Sequence, residues 1–530
     1  MAIDIQALTQ GLSPFILWPT LAITSVSHPF PILTNISNRI PQTVLYLLLT
    51  ALYNITLHPL RAYPGPRLWA ATRLPYAAML LRGDPHKTVL ALHQKYGPVV
   101  RVAPAELSFQ SPEAWRDVMG HRKGAKSEEN AKLPIFIEEK HADIISSNRE
   151  DHARYRRILS HGFSAKSMQE QQPIIKSYID LLIDRLHTVS ADNKPVDVVA
   201  WYNYTTFDII GDLAFGESFG CLDSSDYHPW VKLIFDDIKL GMYFYVAKFF
   251  RAFEPLLKNF VPKSLVAKRA AHKQLVKERV ESRIKMGTPR PDFAESMLKK
   301  TGAEVSNIKL NHVRVQQSLT KDELYENSNV LIIAGSETTA TALSGATYLL
   351  TSSPDKLARL TAEVRGAFGS ADEIDILGTA RLEYLQAVLE ETLRCYPPVP
   401  SALPRVTPAA GQEICGQFVP GNTTLGIWHW PMYHNEANFS RPFEFLPERW
   451  LGDPEFKDDR LDALKPFHFG PRNCLGMNLA YAEMRMMLSR MVWHFDMELS
   501  PESKGWLDHP VYTLWSKPPL KVHLTPRKDI

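Results

Sequence analysis

Cysteine is scarce in this 530-residue chain: there are four, Cys221, Cys395, Cys415 and Cys474, and no two form a Cys-x-x-Cys pair. That excludes a zinc ribbon, a thioredoxin-type motif and a disulfide scaffold. Each thiol is by default a small buried hydrophobe, so a functional one must be marked by its surroundings. Glycine is sparse too, at 26 residues, and no Gly-x-Gly-x-x-Gly loop offers a dinucleotide site. Length alone would permit roughly three or four domains. With no Gly/Ser-rich or Pro-rich linker and no internal repeat, one large body is the better expectation. Charge leans to neither sign, with 60 basic and 57 acidic residues. Without a long Lys/Arg run, nucleic acid is not expected as a partner. What the chain does have is apolar residues, 45% of the total, enough for a large core.

Charge is also missing from the beginning of the chain. Residues 5–38 and 40–60 contain no Asp, Glu, Lys or Arg. Val44 to Leu57 is strongly apolar and compatible with a helix, though shorter than the ~20 residues of a full span. Pro14 to Val26 is a weaker stretch, broken by Pro19. The start lacks a basic region and a small-residue cleavage site, which argues against a cleaved signal peptide. Arg61, Arg67 and Arg73 follow, and the positive-inside bias then puts the rest of the chain on the cytosolic side. Residues 1–60 therefore read as a membrane-anchor region and residues 61–530 as a single domain. Tyr63-Pro64-Gly65-Pro66 between them reads as a stiff hinge.

Within the body, Val99 to Val102 and Glu106 to Phe109 alternate around Pro104-Ala105 like a hairpin. Helical patterns dominate from about Asp151 to Leu350. The clearest helix starts at Thr320, where Thr320 and Glu323 form a capping box, and runs without proline to about Leu350. Another covers Leu382 to Cys395 and stops before Pro397-Pro398. Strand-like pieces return at Gly416 to Trp428 and Val511 to Leu524. The whole reads as mainly α with a smaller β region.

The most specific stretch is Phe467-His-Phe-Gly-Pro-Arg-Asn-Cys474-Leu-Gly476, followed at once by a helical pattern. A sulfur at a helix N-terminus faces unpaired N–H groups and the positive end of the dipole, which favour a thiolate. Gly470 and Gly476 leave room for a flat macrocycle, and Arg472 can pair with a carboxylate. The loop resembles the haem-binding signature of the cytochrome P450 superfamily, Phe-x-x-Gly-x-Arg-x-Cys-x-Gly, at every fixed position. His468 stands where the family usually has Ser or Gly, and is expected to alter the loop surface or its hydrogen bonding. The resemblance implies a cytochrome P450 fold, with a long central helix over the haem and the cysteine loop beneath it. It implies haem b (iron protoporphyrin IX) with Cys474 as axial thiolate and metal ligand. Phe467, Gly470, Arg472 and Gly476 would then contact the cofactor.

A thiolate opposite the oxygen site favours O–O cleavage, and protons must then reach bound dioxygen. The long helix carries Ala334-Gly335-Ser336-Glu337-Thr338-Thr339, which resembles the family's oxygen-binding segment. Gly335 is read as space for oxygen or substrate. Thr338 is expected to bond back to the Ala334 carbonyl and open the helix locally. The catalytic assignments are Thr338 for oxygen and proton handling and Glu337 for proton supply. Glu391 and Arg394 lie at i,i+3. Periodicity puts them off the apolar stripe, as a solvated pair. The resemblance, through Pro447-Glu448-Arg449-Trp450, implies instead a buried cluster that locks the scaffold. The helix around Asp151 to Arg157 resembles the one that holds a haem propionate, with His152 and Arg156 one turn apart. Arg405 resembles the family's other propionate-binding arginine.

The resemblance runs from Tyr53 to Leu520 and follows filamentous-fungal members of secondary metabolism, in particular the isotrichodermin C-15 hydroxylase type. It implies a monooxygenase that uses O2 to hydroxylate or epoxidise a small apolar terpenoid or polyketide-like molecule. A rearranging isomerase or lyase would not need the relay of Thr338 and Glu337, and a mere haem binder would not need it either. No reductase-like extension is present. The family supplies electrons from a membrane-bound NADPH–cytochrome P450 reductase, with cytochrome b5 as a second candidate donor. Lys465, Arg472, Arg154 and Arg157 are the basic residues expected to receive it. By analogy, the substrate walls are Lys132 to Ile145, Met242 to Phe250, Val330 to Thr338, Val399 to Leu403 and Val511 to Leu514. The expected location is the endoplasmic reticulum membrane, with the catalytic domain facing the cytosol.

Overall fold

Thr320 starts the longest helix as its sequence predicts. Its hydroxyl accepts from the Glu323 N–H at 3.2 Å, and the Glu323 carboxylate accepts from the Thr320 N–H at 2.8 Å. The computed structural model that shows this describes residues 31–121, 129–137, 142–192, 194–228, 241–250, 263–287, 290–298 and 318–528. Its helices of nine residues or more are α1 (Pro31–Thr56), α2 (Leu74–Arg82), α3 (Pro85–Tyr96), α4 (Arg149–Leu159), α5 (Ala165–Ser190), α6 (Val198–Phe215), α7 (Lys263–Met286), α8 (Lys321–Thr351), α9 (Pro354–Ala367), α10 (Glu383–Cys395) and α11 (Met477–His494). The strands are β1 (Val99–Ala103), β2 (Glu106–Phe109), β3 (Ala131–Lys132), β4 (Val196–Asp197), β5 (Arg405–Val406), β6 (Gln412–Ile414), β7 (Gln417–Val419), β8 (Thr424–Ile427), β9 (Phe495–Leu499), β10 (Val511–Tyr512), β11 (Leu514–Trp515) and β12 (Lys521–Pro526). Mainly α with a smaller β region is what the residue patterns predict.

α8 is the spine of the helical core. It keeps 31 residues in one α-helix because no proline interrupts it. It packs hard against α6, which is buried almost all round. A methyl group on Gly335 would come within 2.7 Å of Ile210 on α6, so this glycine lets two helices touch. That corrects its reading as space for oxygen or substrate. Tyr202 of α6 and Thr347 of α8 share a buried hydrogen bond of 2.8 Å. The apolar faces of α4, α5, α6, α8, α10 and α11 merge into one cluster.

The largest sheet has the order β1-β2-β8-β5-β3. β1 and β2 form the expected hairpin, and β8 runs parallel to β2 and antiparallel to β5. The end strand β3 pairs with β5 so that Lys132 faces Arg405 across the ladder. Two long cationic side chains from distant segments are thereby set side by side.

The pair Glu391/Arg394 is buried completely, against its periodicity and in line with the resemblance. The stripe argument fails because a second layer covers the polar face of α10. Arg394 donates to Glu391 at 2.7 Å and to the carbonyls of Tyr433, Pro442 and Glu444. Arg449 lies 3.5 Å from Glu391, and the Trp450 indole donates to the same carboxylate at 2.9 Å. Burial alone would raise the Glu391 carboxyl, but Arg394 holds it below its usual value.

Helix α1 starts earlier than the apolar stretch and includes Pro41. Val44, Leu45, Leu47, Leu48, Leu49 and Leu52 are exposed on it. Among the described residues no helix is long and apolar enough to cross a membrane. The Pro14 to Val26 stretch lies outside the described residues. The segment after α1 is pinned. Arg101 donates to the Asn54 carbonyl at 2.9 Å, its N–H donates to the Pro64 carbonyl at 2.7 Å, and a methyl on Gly65 would strike the Arg101 carbonyl. Tyr63-Pro64-Gly65-Pro66 is therefore a packed joint.

Candidate functional site

The cysteine loop is held by its own backbone. A tight turn spans Gly470–Arg472, the Cys474 N–H donates to the Phe467 carbonyl at 2.8 Å, and α11 begins three residues after the sulfur. Gly470 adopts φ +80°, and a methyl there would overlap the Met119 carbonyl. Its space is filled by backbone, which corrects its reading as clearance for a macrocycle. Beside Gly476 nothing lies nearer than 3.9 Å, so that side is open. His468 points inward, at φ +64°, with its ring edge-on to Trp115 at 5.2 Å. It shapes the loop's packing, not its surface. Phe467 packs beside Tyr481 at 5.0 Å.

Cys474 is reachable by solvent, yet so enclosed by protein that burial pushes its thiol up. A group both reachable and enclosed lines a cavity. The Gly476 N–H and Arg156 act in the other direction and do not win. The thiolate thus needs a stronger positive partner than the chain itself supplies, as a bound iron would be.

A crowd of cations stands near the loop. Arg472 donates to Glu129 at 3.0 Å and to the Ser147 carbonyl at 3.2 Å. Arg405 is buried and finds only long contacts of 3.3 Å to the carbonyls of Leu403 and Pro404. Burial, with Arg472 and Arg405 beside it, lowers the Lys132 ammonium to about 7. His152 is buried and pushed down to about 3, first by burial and then by Arg472, Lys132, Arg156 and Arg405. Glu129 and Asp143 are the acids beside these cations, and Arg405 still finds only carbonyls, so the two propionate carboxylates of haem would fit here. Arg472, Arg405 and His152 are therefore brought together as expected. Lys132, expected only as a substrate wall, joins them through the strand pairing. Arg156 faces elsewhere: it donates to the Asn473 carbonyl at 2.6 Å and side-chain oxygen at 2.5 Å, and so braces the residue before Cys474.

On α8, Val330 and Thr338 are half-buried and Ala334 is exposed, while Leu331, Ile332, Ser336, Glu337 and Thr339 are buried. Ile333 and Gly335 are half-buried as well, and Val330, Ala334 and Thr338 recur at each helical turn, so one stripe of the core helix faces open space. Thr338 Oγ1 donates to the Ala334 carbonyl at 2.8 Å. The helix nevertheless stays α throughout, contrary to the expected local opening. Glu337 is buried and paired with Lys517, whose Nζ also donates to Thr341 Oγ1 at 2.6 Å. Of the other expected walls, Val399 to Leu403 and Val511 to Leu514 are stapled together. Ser401 donates to the Thr513 carbonyl at 3.0 Å, and Trp515 to the Pro397 carbonyl at 2.7 Å. Met242 and Val246 are core residues beside Tyr76 and Val100. Residues 138–141 of the first wall lie outside the described residues.

Two of the four basic residues expected to receive an electron donor are already engaged. Arg472 is held by Glu129, and Arg154 by Asp151 at 2.7 Å and Glu323 at 2.6 Å. Periodicity gave no sign of a further acid, Glu483 on α11. Burial raises its carboxyl to about 8, with Thr339 as its hydrogen-bond partner. Its folded value lies above its unfolded one, so both forms are protonated at low pH and stability is lost as pH rises between them. Glu483→Gln should flatten the fall of the thermal midpoint between about pH 5 and 8. An equal fall in both proteins would count against a neutral Glu483.

Comparison with known proteins agrees with this geometry. The family model described as Cytochrome P450 matches residues 63–524. Trichothecene C-15 hydroxylase of Fusarium sporotrichioides is 46% identical over 514 residues, covering 96% of this chain and 99% of that protein. Cytochrome P450 monooxygenase astA of Talaromyces wortmannii is 42% identical, with 92% and 96% covered. Averantin hydroxylase of Dothistroma septosporum is 41% identical, with 91% and 90% covered.

Proposed function

Since the chain belongs to the cytochrome P450 family, we propose that it inserts one atom of O2 into an apolar terpenoid or polyketide-like intermediate of secondary metabolism, by hydroxylation or epoxidation. It is a haem-thiolate monooxygenase of the fungal secondary-metabolite kind. The substrate class is inferred from relatives whose names specify a trichothecene and averantin. The observation that carries the reading is Cys474, reachable by solvent just before the N-terminus of α11, with Arg472, Arg405, Lys132 and His152 gathered near its loop.

Haem b bound there would take its thiolate from Cys474 and supply the iron that activates dioxygen. Arg472, Arg405, Lys132 and His152 would hold its propionate carboxylates. Arg156 orients the loop through Asn473. The Val330, Ala334 and Thr338 stripe offers an apolar wall with one hydroxyl. Thr338 passes a proton to the oxygen side, and Glu337 replaces it. Electrons come from an NADPH–cytochrome P450 reductase, with cytochrome b5 as a second donor. Lys465 and Arg157 are the remaining docking charges of the expected four.

The test is the carbon-monoxide difference spectrum of the reduced protein beside Cys474→Ala. A strongly red-shifted Soret band that disappears in the variant supports thiolate ligation. A band at the ordinary haem position in the parent would refute it.

Membrane anchoring is part of the same proposal. The exposed leucines of α1 and the uncharged residues 40–60 support it, with the catalytic domain on the cytosolic side of the endoplasmic reticulum. Removing residues 1–60 should shift the protein from the microsomal pellet to the supernatant. An unchanged distribution would count against the anchor.

A further inference from the structure

The open stripe of α8 ends at a buried amide. Asn327 lies seven residues before Ala334 and eleven before Thr338, about two and three turns, so the three share one line down the helix. Ala334 is exposed and Thr338 half-buried, yet Asn327 is fully buried. The hydrogen bonds identify what covers it. The Ile144 N–H donates to Asn327 Oδ1 at 2.9 Å, and Asn327 Nδ2 donates to the Glu323 carbonyl at 2.8 Å. Oxygen and nitrogen of the amide each meet the only kind of partner they can use, which fixes the way it is turned.

The covering segment has a set shape. Asp143 Oδ1 accepts from the N–H groups of Ile145 at 2.6 Å and Ser146 at 2.8 Å, which closes a turn with Ile144 as its second residue. Lys132 donates to the Ile145 carbonyl, and Arg472 of the cysteine loop donates to the Ser147 carbonyl at 3.2 Å. Ile144 is thus tied to α8 and Ser147 to the cysteine loop, and three residues of chain reach at most about 11 Å. The segment 144–147 bridges the two elements that enclose the site and closes the stripe on the N-terminal side of α8. Lys132 and Arg472 hold it on the side of the cation cluster. Asn327 holds it on the side of the stripe.

We propose that Asn327 is a specificity-determining positioning residue: its bond to Ile144 fixes the end wall of the substrate space and sets how long a molecule can lie along α8. This rests on the reading of the Val330, Ala334 and Thr338 stripe as a substrate wall given above. A molecule that ends before Asn327 leaves the bond untouched. One that reaches further must part the Ile144 N–H from its acceptor and strand both groups, so it is disfavoured.

The experiment uses the full chain with haem and a series of 1-alkylimidazoles of increasing chain length, with imidazole itself as the short reference. Binding is read from the shift of the ferric Soret band, so neither turnover nor the native substrate is needed. Asn327→Leu keeps the bulk and removes the acceptor. Asn327→Asp keeps an acceptor oxygen. Ile144→Pro removes the donor from the other side, and proline is favoured at the second position of such a turn. In the parent, affinity should rise with chain length and then fall at a definite length. In Asn327→Leu and Ile144→Pro that limit should move to longer chains, and the first chain the parent rejects should bind several-fold tighter, with imidazole unchanged. Asn327→Asp should keep the parent's limit. An unchanged limit in Asn327→Leu and Ile144→Pro would overturn the proposal. So would an equal loss of affinity for imidazole and every chain, which marks a general defect of the haem site. Should Asn327→Leu not fold, Ile144→Pro decides the matter. A parent without the red-shifted carbon-monoxide band would sink the haem-thiolate reading, whereas a parent that has the band but no length limit sinks the end wall alone.

Discussion

Glu391→Ala should leave almost no folded, haem-loaded protein. The substitution strands Arg394, fully buried, and leaves the equally buried Arg449 with Asp459 as its carboxylate partner. Removing one partner of a buried ionic cluster costs about 3–5 kcal/mol, against a total stability of about 5–15 kcal/mol. The Leu446 N–H and the Trp450 indole lose their acceptor as well. Soluble yield, the thermal midpoint by circular dichroism and the carbon-monoxide band should fall together. An unchanged midpoint would show that the cluster does not hold the scaffold. The pH dependence has a definite sign. Because Glu391 is held below its usual value, its contribution is present at neutral pH and is lost only as pH falls through that lowered value.

Thr338→Ala should act the other way round, sparing the fold and damaging turnover. Thr338 bonds to its own helix and faces the open stripe, so the change removes a hydroxyl and leaves no buried partner stranded. A positioned proton-transfer group contributes about 100-fold or more, so product formed per NADPH should fall on the order of 10- to 100-fold. Peroxide should rise in its place while the red-shifted band stays. The measurement is product and peroxide per NADPH with a panel of small apolar compounds. Unchanged coupling in the variant would remove Thr338 from the relay.

Local chemistry was legible in the residues; chemistry assembled across the fold was not. The capping box at Thr320, the back-bond of Thr338 and the hairpin at Val99 depend on neighbours a few residues away, and each is found as read. Gly335 and Gly470 were noticed for the right property and given the wrong neighbour. Which atoms fill the space beside a glycine is decided by Ile210 and Met119, far off in the chain. The same holds for Lys517 and Lys132, whose partners lie on remote elements. Periodicity misjudged Glu391 and Arg394 because it assumes one buried face per helix, and α10 has cover on more than one. The inward turn of His468 was not legible, because a one-residue departure does not tell which way a loop faces.

The pairing of β3 with β5 has a consequence for how the protein assembles. Lys132 and Arg405 are far apart in the chain, so their contact closes a long loop, with the entropic cost that closure carries. It brings two like charges together beside Arg472, a repulsion that Glu129 and Asp143 only partly offset. A dianion arriving there turns repulsion into attraction. A prosthetic group that brings carboxylates to this point would act as a keystone for the closure as well as a reagent. Supply of haem during synthesis, rather than the intrinsic preference of the polypeptide, would then set the yield of finished protein.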